Sequence, residues 1–354
     1  MLQKLKEEKK LIDTWLVNFL EEEERNFDQQ TLVKEAFAII KDFVISGKTL
    51  RGGLFLLATK ALNAKTYEKN QEDLLAVAAA LELIHSSLLV HDDIIDQDEI
   101  RRGQDSVWQQ YTKNAIKNNY KNPQNYGQSL AICVGNILNY LARLALARVS
   151  KLPQNIQNDL RETIDQEIIK TNFAEMLDSK ITLQNKLPSI SEVLEMYLFK
   201  TARYTFSLPL KLAVIINQLS ENDTRNLIKI GEKLGMIFQI KDDEISLFAT
   251  EEISGKSFAS DIKEGKKTIF YLTLIKNANQ KEQEFLAKKI GRRNLDQQTI
   301  KKIQNLFRQH TMEEIKKTIQ QLTKEAMSKI KKIKSTKTKQ LLEEILDFNL
   351  NRQS

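Results

Sequence analysis

Apolar residues recur along this chain at steps of three and four, in one long stretch after another. That spacing predicts amphipathic helices. It places them at about 4–24, 30–45, 54–62, 72–96, 129–149, 154–179, 190–200, 203–219, 224–247 and 267–276. Further helices are expected at 280–290, 297–309, 312–332 and 337–348. Leu, Ile, Ala, Glu, Lys and Gln fill these segments, and all are good helix formers. No run of alternating β-branched residues bounded by turn signals points to a strand. Only 11 glycines and 4 prolines stand among 354 residues, and Pro123, Pro153, Pro188 and Pro209 are widely scattered. The expected fold class is all-α, and the scarcity of breakers favours one domain spanning 1–354.

Two connections are long. Tyr111–Gly127 is polar, with five Asn and three Lys, and exceeds an ordinary helix–helix turn. Thr250–Gly265 carries Gly255 and Gly265 with charges between them. The single cysteine, Cys133, excludes an intrachain disulfide and suits a reducing compartment. Its apolar setting, Leu130–Val134, predicts a small buried hydrophobe.

The first ten residues are charged and lack a signal peptide's apolar core. The most apolar window, Leu74–Val90, is interrupted by Glu82 and His85 and is short for a membrane span. A cytoplasmic location is expected. Net charge is +7, with much of the excess in Lys301–Lys339. That excess reads as a solvated lysine face or as a surface for a membrane or other anionic partner. No nucleic-acid-binding motif accompanies it, so a nucleic-acid role is not expected.

The chemistry concentrates at Asp92-Asp93-Ile94-Ile95-Asp96, which ends the apolar helix from Glu72. On a helix Asp92 and Asp96 stand one turn apart on one face and repel. A divalent cation reverses the sign of that interaction. Oxygen-only ligands of this kind suit magnesium, which takes one or two carboxylates and completes its shell with water and phosphate oxygens.

A second cluster repeats the geometry: Gln239, Asp242 and Ser246 share a helical face, with Asp243 beside them. If the two helices pack antiparallel, the clusters would face each other across a cavity. Cations lie nearby in sequence: Lys48 and Arg51, Arg101 and Arg102, Lys200, Lys256, Lys263, Lys266 and Lys267. Carboxylates with convergent Arg and Lys imply a metal carrying a polyanion, most simply a diphosphate. Gly47-Lys48-Thr49 is not a nucleotide P-loop, because that motif needs glycine where Asp42 stands.

In their order these motifs resemble the all-trans polyprenyl diphosphate synthases. The matching stretches are Gly47-Lys48-xx-Arg51, Glu82-Leu83-Ile84-His85, Asp92-Asp93-xx-Asp96, Arg101-Arg102-Gly103 and Lys200-Thr201-Ala202. Phe238-Gln239-Ile240-Lys241-Asp242-Asp243 follows, then Gly255-Lys256 with Asp261–Thr268. The resemblance implies a bundle of long helices around a deep central cavity, usually a homodimer. It implies a prenyltransferase joining isopentenyl diphosphate to an allylic diphosphate, with at most peripheral membrane contact for product release.

By position, Asp92, Asp96 and Asp242 would be the magnesium ligands, with Asp93 and Asp243 supporting. Arg101, Lys200, Lys256 and Lys266 would hold the allylic diphosphate. Lys48, Arg51, His85 and Arg102 would hold isopentenyl diphosphate. Thr201 and Gln239 would offer dipoles to a carbocation in a site without nucleophiles. His91 and His310 are given no role.

Three departures qualify the match. Gly52 follows Arg51 where proline is common, Ser246 replaces the third acid of the second motif, and Tyr111–Gly127 reads as an insertion over the site mouth. Chain length is expected to be set near Ser87 and Leu88, with Ala78, Ala79 and Ala80 deeper on the helix. By the resemblance, a floor this small implies a product of twenty or more carbons, unless large residues of a neighbouring helix close the tunnel sooner. The alternatives are a terpene cyclase, which has no need of Lys48, Arg51, His85 and Arg102 together, and a non-catalytic subunit of a heteromeric synthase.

Overall fold

The computed structural model describes residues 1–27, 30–248, 260–292 and 294–352. Helices make up the regular structure, as the apolar spacing predicts; the exception among the described residues is a hairpin of two-residue strands. The chain divides into two units, Met1–Thr163 with Leu212–Leu219, and Ile164–Lys211 with Ser220–Ser354.

The first unit opens with α1 (Leu2–Arg25), α2 (Thr31–Ile45), α3 (Leu50–Leu62), α4 (Ala64–Lys69) and α5 (Gln71–Ile95). The hairpin β1 (Ile100–Arg101) and β2 (Gln104–Asp105) follows, then α6 (Val107–Lys117), α7 (Pro123–Ala147) and the start of α8 (Gln154–Leu183). Every residue of α5 from Leu74 to Ile84 is buried, because the run is apolar on nearly all faces. α7 and α3 pack on it. The approach of α3 depends on a missing side chain, since a Cβ on Gly52 would lie 2.8 Å from the Ala78 carbonyl oxygen. By length and composition α5 and α7 would both span a bilayer, but most of that window in α5 lies inside the protein.

The second unit contains the rest of α8, then α9 (Ile190–Tyr197), a π-helix (Leu198–Ser207) and the first residues of α10 (Leu208–Asn217). After them come α11 (Glu221–Phe248), α12 (Ser260–Glu264), α13 (Ile269–Asn277), α14 (Gln280–Lys289), α15 (Gln297–Ile330) and α16 (Thr336–Asn351). Ser189 and Glu192 form a reciprocal capping box that starts α9. Val193, Tyr197, Ala202, Ile240, Phe270 and Ile303 belong to one buried core. Gly231 and Gly235 of α11 meet the backbone of Ser207 and Ala202, so α11 and the π-helix touch main chain to main chain.

Several expectations change. Tyr111–Gly127 is not a long connection: it is the end of α6, a short link and the start of α7. Val107, Trp108, Tyr111, Thr112 and Ala115 supply an apolar stripe that the surrounding Asn and Lys obscure. The expected break near residue 310 is absent, because Thr311 is buried and returns its hydroxyl to the Phe307 carbonyl, 2.7 Å away. The expected break at 201–202 is also absent, since the π-helix runs through it. Cys133 is exposed, not buried. It lies on the outward face of α7 with Ile132, Ile137, Tyr140 and Leu144, a face that is apolar without being covered.

Candidate active site

In the first unit, the buried helix α5 opens to solvent along one stripe. His85, Leu88, Leu89, Asp92 and Asp96 are all partly exposed, and they fall at helical steps of three and four. Asp93 points the other way and is fully buried. Burial pushes its carboxyl up to about 7, against the pull of Arg101.

Arg101 is engaged by three carboxylates. Its guanidinium donates to Asp93 Oδ1 at 2.5 Å through Nε, and to Asp92 at 3.2 Å and Asp98 at 3.1 Å through Nη2. Burial disfavours its charge, but those three carboxylates outweigh burial and keep it protonated.

The hairpin that carries Arg101 explains why Arg-Arg-Gly is needed. Ile100 pairs with Asp105 and Arg101 with Gln104, leaving Arg102 and Gly103 as a two-residue turn. Both turn residues have positive φ, 57° and 75°, the signature of the hairpin turn that matches strand twist. Arg102 reaches the end of α2, donating to the Phe43 carbonyl at 2.5 Å and Ser46 Oγ at 3.1 Å, over the Phe43 ring. Burial pulls it down to about 10, with Glu82 opposing.

Glu82 organises the start of α3. It is buried and accepts the Gly52 N–H at 2.7 Å, a carboxylate satisfying a helix N-terminus. Burial raises its pKa, and Arg51 opposes the rise. One turn on, His85 still touches solvent in part, but atoms pack densely enough around the ring that burial is the main force on it. Burial, then Arg51, Arg102 and Arg101, holds its pKa well below the ordinary value, so the ring is neutral. Lys48 is exposed on the loop before α3. That loop is tied to α1, since Lys9 donates to the Ile45 carbonyl at 2.8 Å and Thr49 Oγ1 at 3.3 Å. The structure therefore gathers Arg51, His85, Arg101 and Arg102 around the open end of α5.

Ser87 and Leu88 separate. Ser87 is buried and donates to the Gly135 carbonyl of α7 at 2.7 Å, so it belongs to helix packing rather than to the open stripe. Leu88 lies on the stripe between His85 and Asp92. Ala78 is likewise committed to the contact with Gly52. His91 packs on Gly135 and His310 sits 3.2 Å from Glu282, both structural positions.

In the second unit, Gln239, Asp242 and Ser246 form a partly exposed stripe on α11. Asp243 is buried behind it and accepts from Gln239 Nε2 at 2.8 Å and from the Tyr197 hydroxyl. Burial, then Asp261, holds its pKa well above the carboxylate range. The π-helix carries Lys200 and Thr201, a geometry frequent at functional sites. Lys200 Nζ lies 2.6 Å from Asp178 and 2.9 Å from Glu175, both on α8. Lys266 approaches Asp178 at 3.6 Å and Glu264 at 3.9 Å. Lys267 turns away, to the Gln184 carbonyl. Lys256 lies outside the described residues.

Four participants were not anticipated from sequence. Glu175 and Asp178 form a helical i,i+3 acid pair that reads as ordinary surface. Tyr197 reads as core. Arg352, just past α16, donates to Asp242 Oδ1 at 3.0 Å and stacks 3.9 Å from the Phe238 ring centroid.

No cluster of three or more His, Cys, Asp or Glu among the described residues could cage a metal. Asp92 and Asp96 nonetheless fit magnesium by chemistry: two hard oxygen donors one turn apart on the open stripe, suited to an ion that brings water and phosphate as its other ligands. Asp242, on its own open stripe, is a single further donor of the same type.

A polyprenyl synthetase family model matches residues 33–307. Geranylgeranyl diphosphate synthase of Saccharolobus solfataricus is 29% identical over 295 residues, which is 81% of this chain and 82% of that protein. The short chain isoprenyl diphosphate synthase of Methanocaldococcus jannaschii is 27% identical over 230 residues, 65% of this chain and 64% of that one. Geranylgeranyl pyrophosphate synthase of Corynebacterium glutamicum, solved with isoprenyl diphosphate and magnesium, superposes with a TM-score of 0.91 at 25% identity, covering 99% of each chain.

Proposed function

The chain belongs to the polyprenyl synthetase family and is a trans-prenyltransferase, and from that premise we propose that it condenses isopentenyl diphosphate with an allylic diphosphate to an all-trans polyprenyl diphosphate of twenty or more carbons. The observation that carries this reading is the neutral His85 set among Arg51, Arg101 and Arg102 on the same stripe as Asp92 and Asp96. A terpene cyclase uses one diphosphate and has no use for a second cationic pocket. The full set of first-motif acids argues against a non-catalytic subunit.

Breaking the allylic C–O bond leaves a diphosphate anion and a carbocation. Magnesium, held by Asp92 and Asp96, would supply charge to the departing anion, and Asp242 is a further donor of the same type. Lys200 and Lys266 would hold the allylic diphosphate. Asp178 and Glu175 fix the Lys200 ammonium against the freedom of its four-carbon stem. Thr201 and Gln239 offer dipoles to the cation but no nucleophile. Arg51, His85, Arg102 and Lys48 hold isopentenyl diphosphate so that its terminal alkene carbon reaches the cation. The new C–C bond takes the alkene's electron pair, and loss of a proton to the released diphosphate restores a double bond. No dedicated protein base is needed.

Elongation tests this directly: purified protein, magnesium, labelled isopentenyl diphosphate and primers of different length. Products longer than each primer are expected, and no elongation from any primer would overturn the reading.

Product length rests on Leu88. Leu88→Phe puts a ring on the open stripe one turn before Asp92 and should shift the product distribution to shorter chains. Ser87→Phe would instead drive a ring into α7 and lower stability. An unaltered product profile in Leu88→Phe sinks the assignment.

The uncovered apolar face of α7, with Ile132, Ile137, Tyr140 and Leu144 exposed, supports a homodimer. Sedimentation should then give twice the chain mass; a monomer at micromolar concentration removes the dimer.

A further inference from the structure

We infer that Tyr197 is a positioning residue that fixes the amide of Gln239, through Asp243, with its carbonyl oxygen turned to the substrate. This rests on the prenyl-transfer reading above. Tyr197 is almost wholly buried, at 2% exposure, and has no route to the substrate itself. Its oxygen already accepts the Ile269 N–H at 3.2 Å, at the start of α13. The Tyr197 hydroxyl proton is directed to Asp243 Oδ2, the second bond this oxygen makes. The other carboxylate oxygen, Oδ1, accepts from Gln239 Nε2 at 2.8 Å.

The consequence is directional. Gln239 and Asp243 are four residues apart on α11, so their side chains meet on adjacent turns. Both Asp243 oxygens are engaged as acceptors, Oδ2 by the Tyr197 hydroxyl and Oδ1 by Gln239 Nε2, so the NH2 end of the amide is the end turned to Asp243. The carbonyl end is then left on the stripe with Asp242 and Ser246. There it presents partial negative charge, the polarity that favours a developing carbocation. A flipped amide would set two acceptors against each other inside and show the cation two N–H donors outside. Tyr197 holds the carboxylate at the rotation from which it reaches Gln239, and the Ile269 N–H holds Tyr197. The hub explains why Asp243 is fully committed while Asp242 remains on the open stripe.

Tyr197→Phe keeps the ring and removes only the hydroxyl. Turnover should fall roughly twentyfold, the scale of one hydrogen bond to a charged group. KM for both diphosphates and the magnesium requirement should stay within about twofold, the scatter of such assays. Gln239→Ala should show a loss of similar size. Adding Tyr197→Phe to Gln239→Ala should then cost nothing further, because the amide that Tyr197 positions is gone. If the double variant instead loses a second full factor, Tyr197 acts structurally and the inference fails.

A crystal structure of Tyr197→Phe gives a readout without turnover. Gln239 is expected to leave Asp243, and an unchanged bond between them overturns the relay. Should the wild-type protein elongate no primer, the prenyl-transfer reading falls while the crystal structure still decides the relay.

Discussion

Asp96→Ala is expected to lower turnover about a thousandfold or more while leaving the protein at least as stable as the wild type. The kinetic part follows from the number of donors. With no cage of three acids among the described residues, Asp92 and Asp96 are the two donors that α5 offers a magnesium ion. Losing one removes the geometry that carries charge to the departing diphosphate, an effect of several kcal/mol, or about three decades in rate. Asp92 alone does not replace it, because Arg101 already draws on that carboxylate at 3.2 Å.

The stability part follows from position. Asp92 lies in the last turn of α5 and Asp96 is its C-cap residue, where the helix dipole is negative. Each carboxylate there costs about 0.3–1 kcal/mol before its neighbour's repulsion is counted. Steady-state kinetics against magnesium and a thermal melt check both halves. Turnover within tenfold of wild type would sink the metal reading of this stripe. Ser246→Ala is the contrast: its hydroxyl is a weak ligand, and turnover should stay within about threefold.

Gly235→Ala should have the second largest effect, and through packing. A Cβ at this position would lie 2.6 Å from the Ala202 Cβ and 2.8 Å from the Ala202 carbonyl oxygen, so α11 and the π-helix must separate. Overpacking of this kind typically costs 1–3 kcal/mol, and a main-chain overlap belongs at about the upper end. Activity should fall beyond the stability loss, because Lys200 and Thr201 sit beside Ala202 on the displaced segment. A shift of about 1 Å in a positioning element costs on the order of a hundredfold. Gly53→Ala is the internal control. Its Cβ would meet only the Leu5 Cδ2, the far end of a flexible side chain, 2.9 Å away. Denaturation midpoints and turnover for the pair check this; equal behaviour would show that the close approach is not needed.

The long helices were legible because their apolar positions keep one period over many turns, as in α1, α5 and α7. The acids were legible because their spacing fixes a face. Ser87 and Leu88 show what helix phase adds. At about 100° per residue Leu88 lies some 40° from Asp92 and Ser87 some 140°. The hairpin escaped notice because its strands are two residues long and its turn is Arg-Gly rather than Asn-Gly or Asp-Gly. Cys133 misled because an apolar stripe looks the same in sequence whether or not the chain itself covers it. The ion pairs of Lys200 join segments more than twenty residues apart, and no local pattern announces them. Tyr197 reads as core, and it is core; its function depends on which buried group it meets.

Trimming is where the terminal helices make a difference. The family match, 33–307, leaves out both α1 and α16, and a shortened chain cut to that span would keep every motif in the sequence. It would lose Lys9, which fastens Thr49 and the Ile45 carbonyl beneath the Lys48 loop, and Arg352, which lies against Asp242. The first and last helical regions thus lend one cation each, Lys9 to the loop of Lys48 and Arg352 to Asp242. Deletions that remove Lys9 or Arg352 should therefore lower turnover, although both terminal helices look expendable by motif alone.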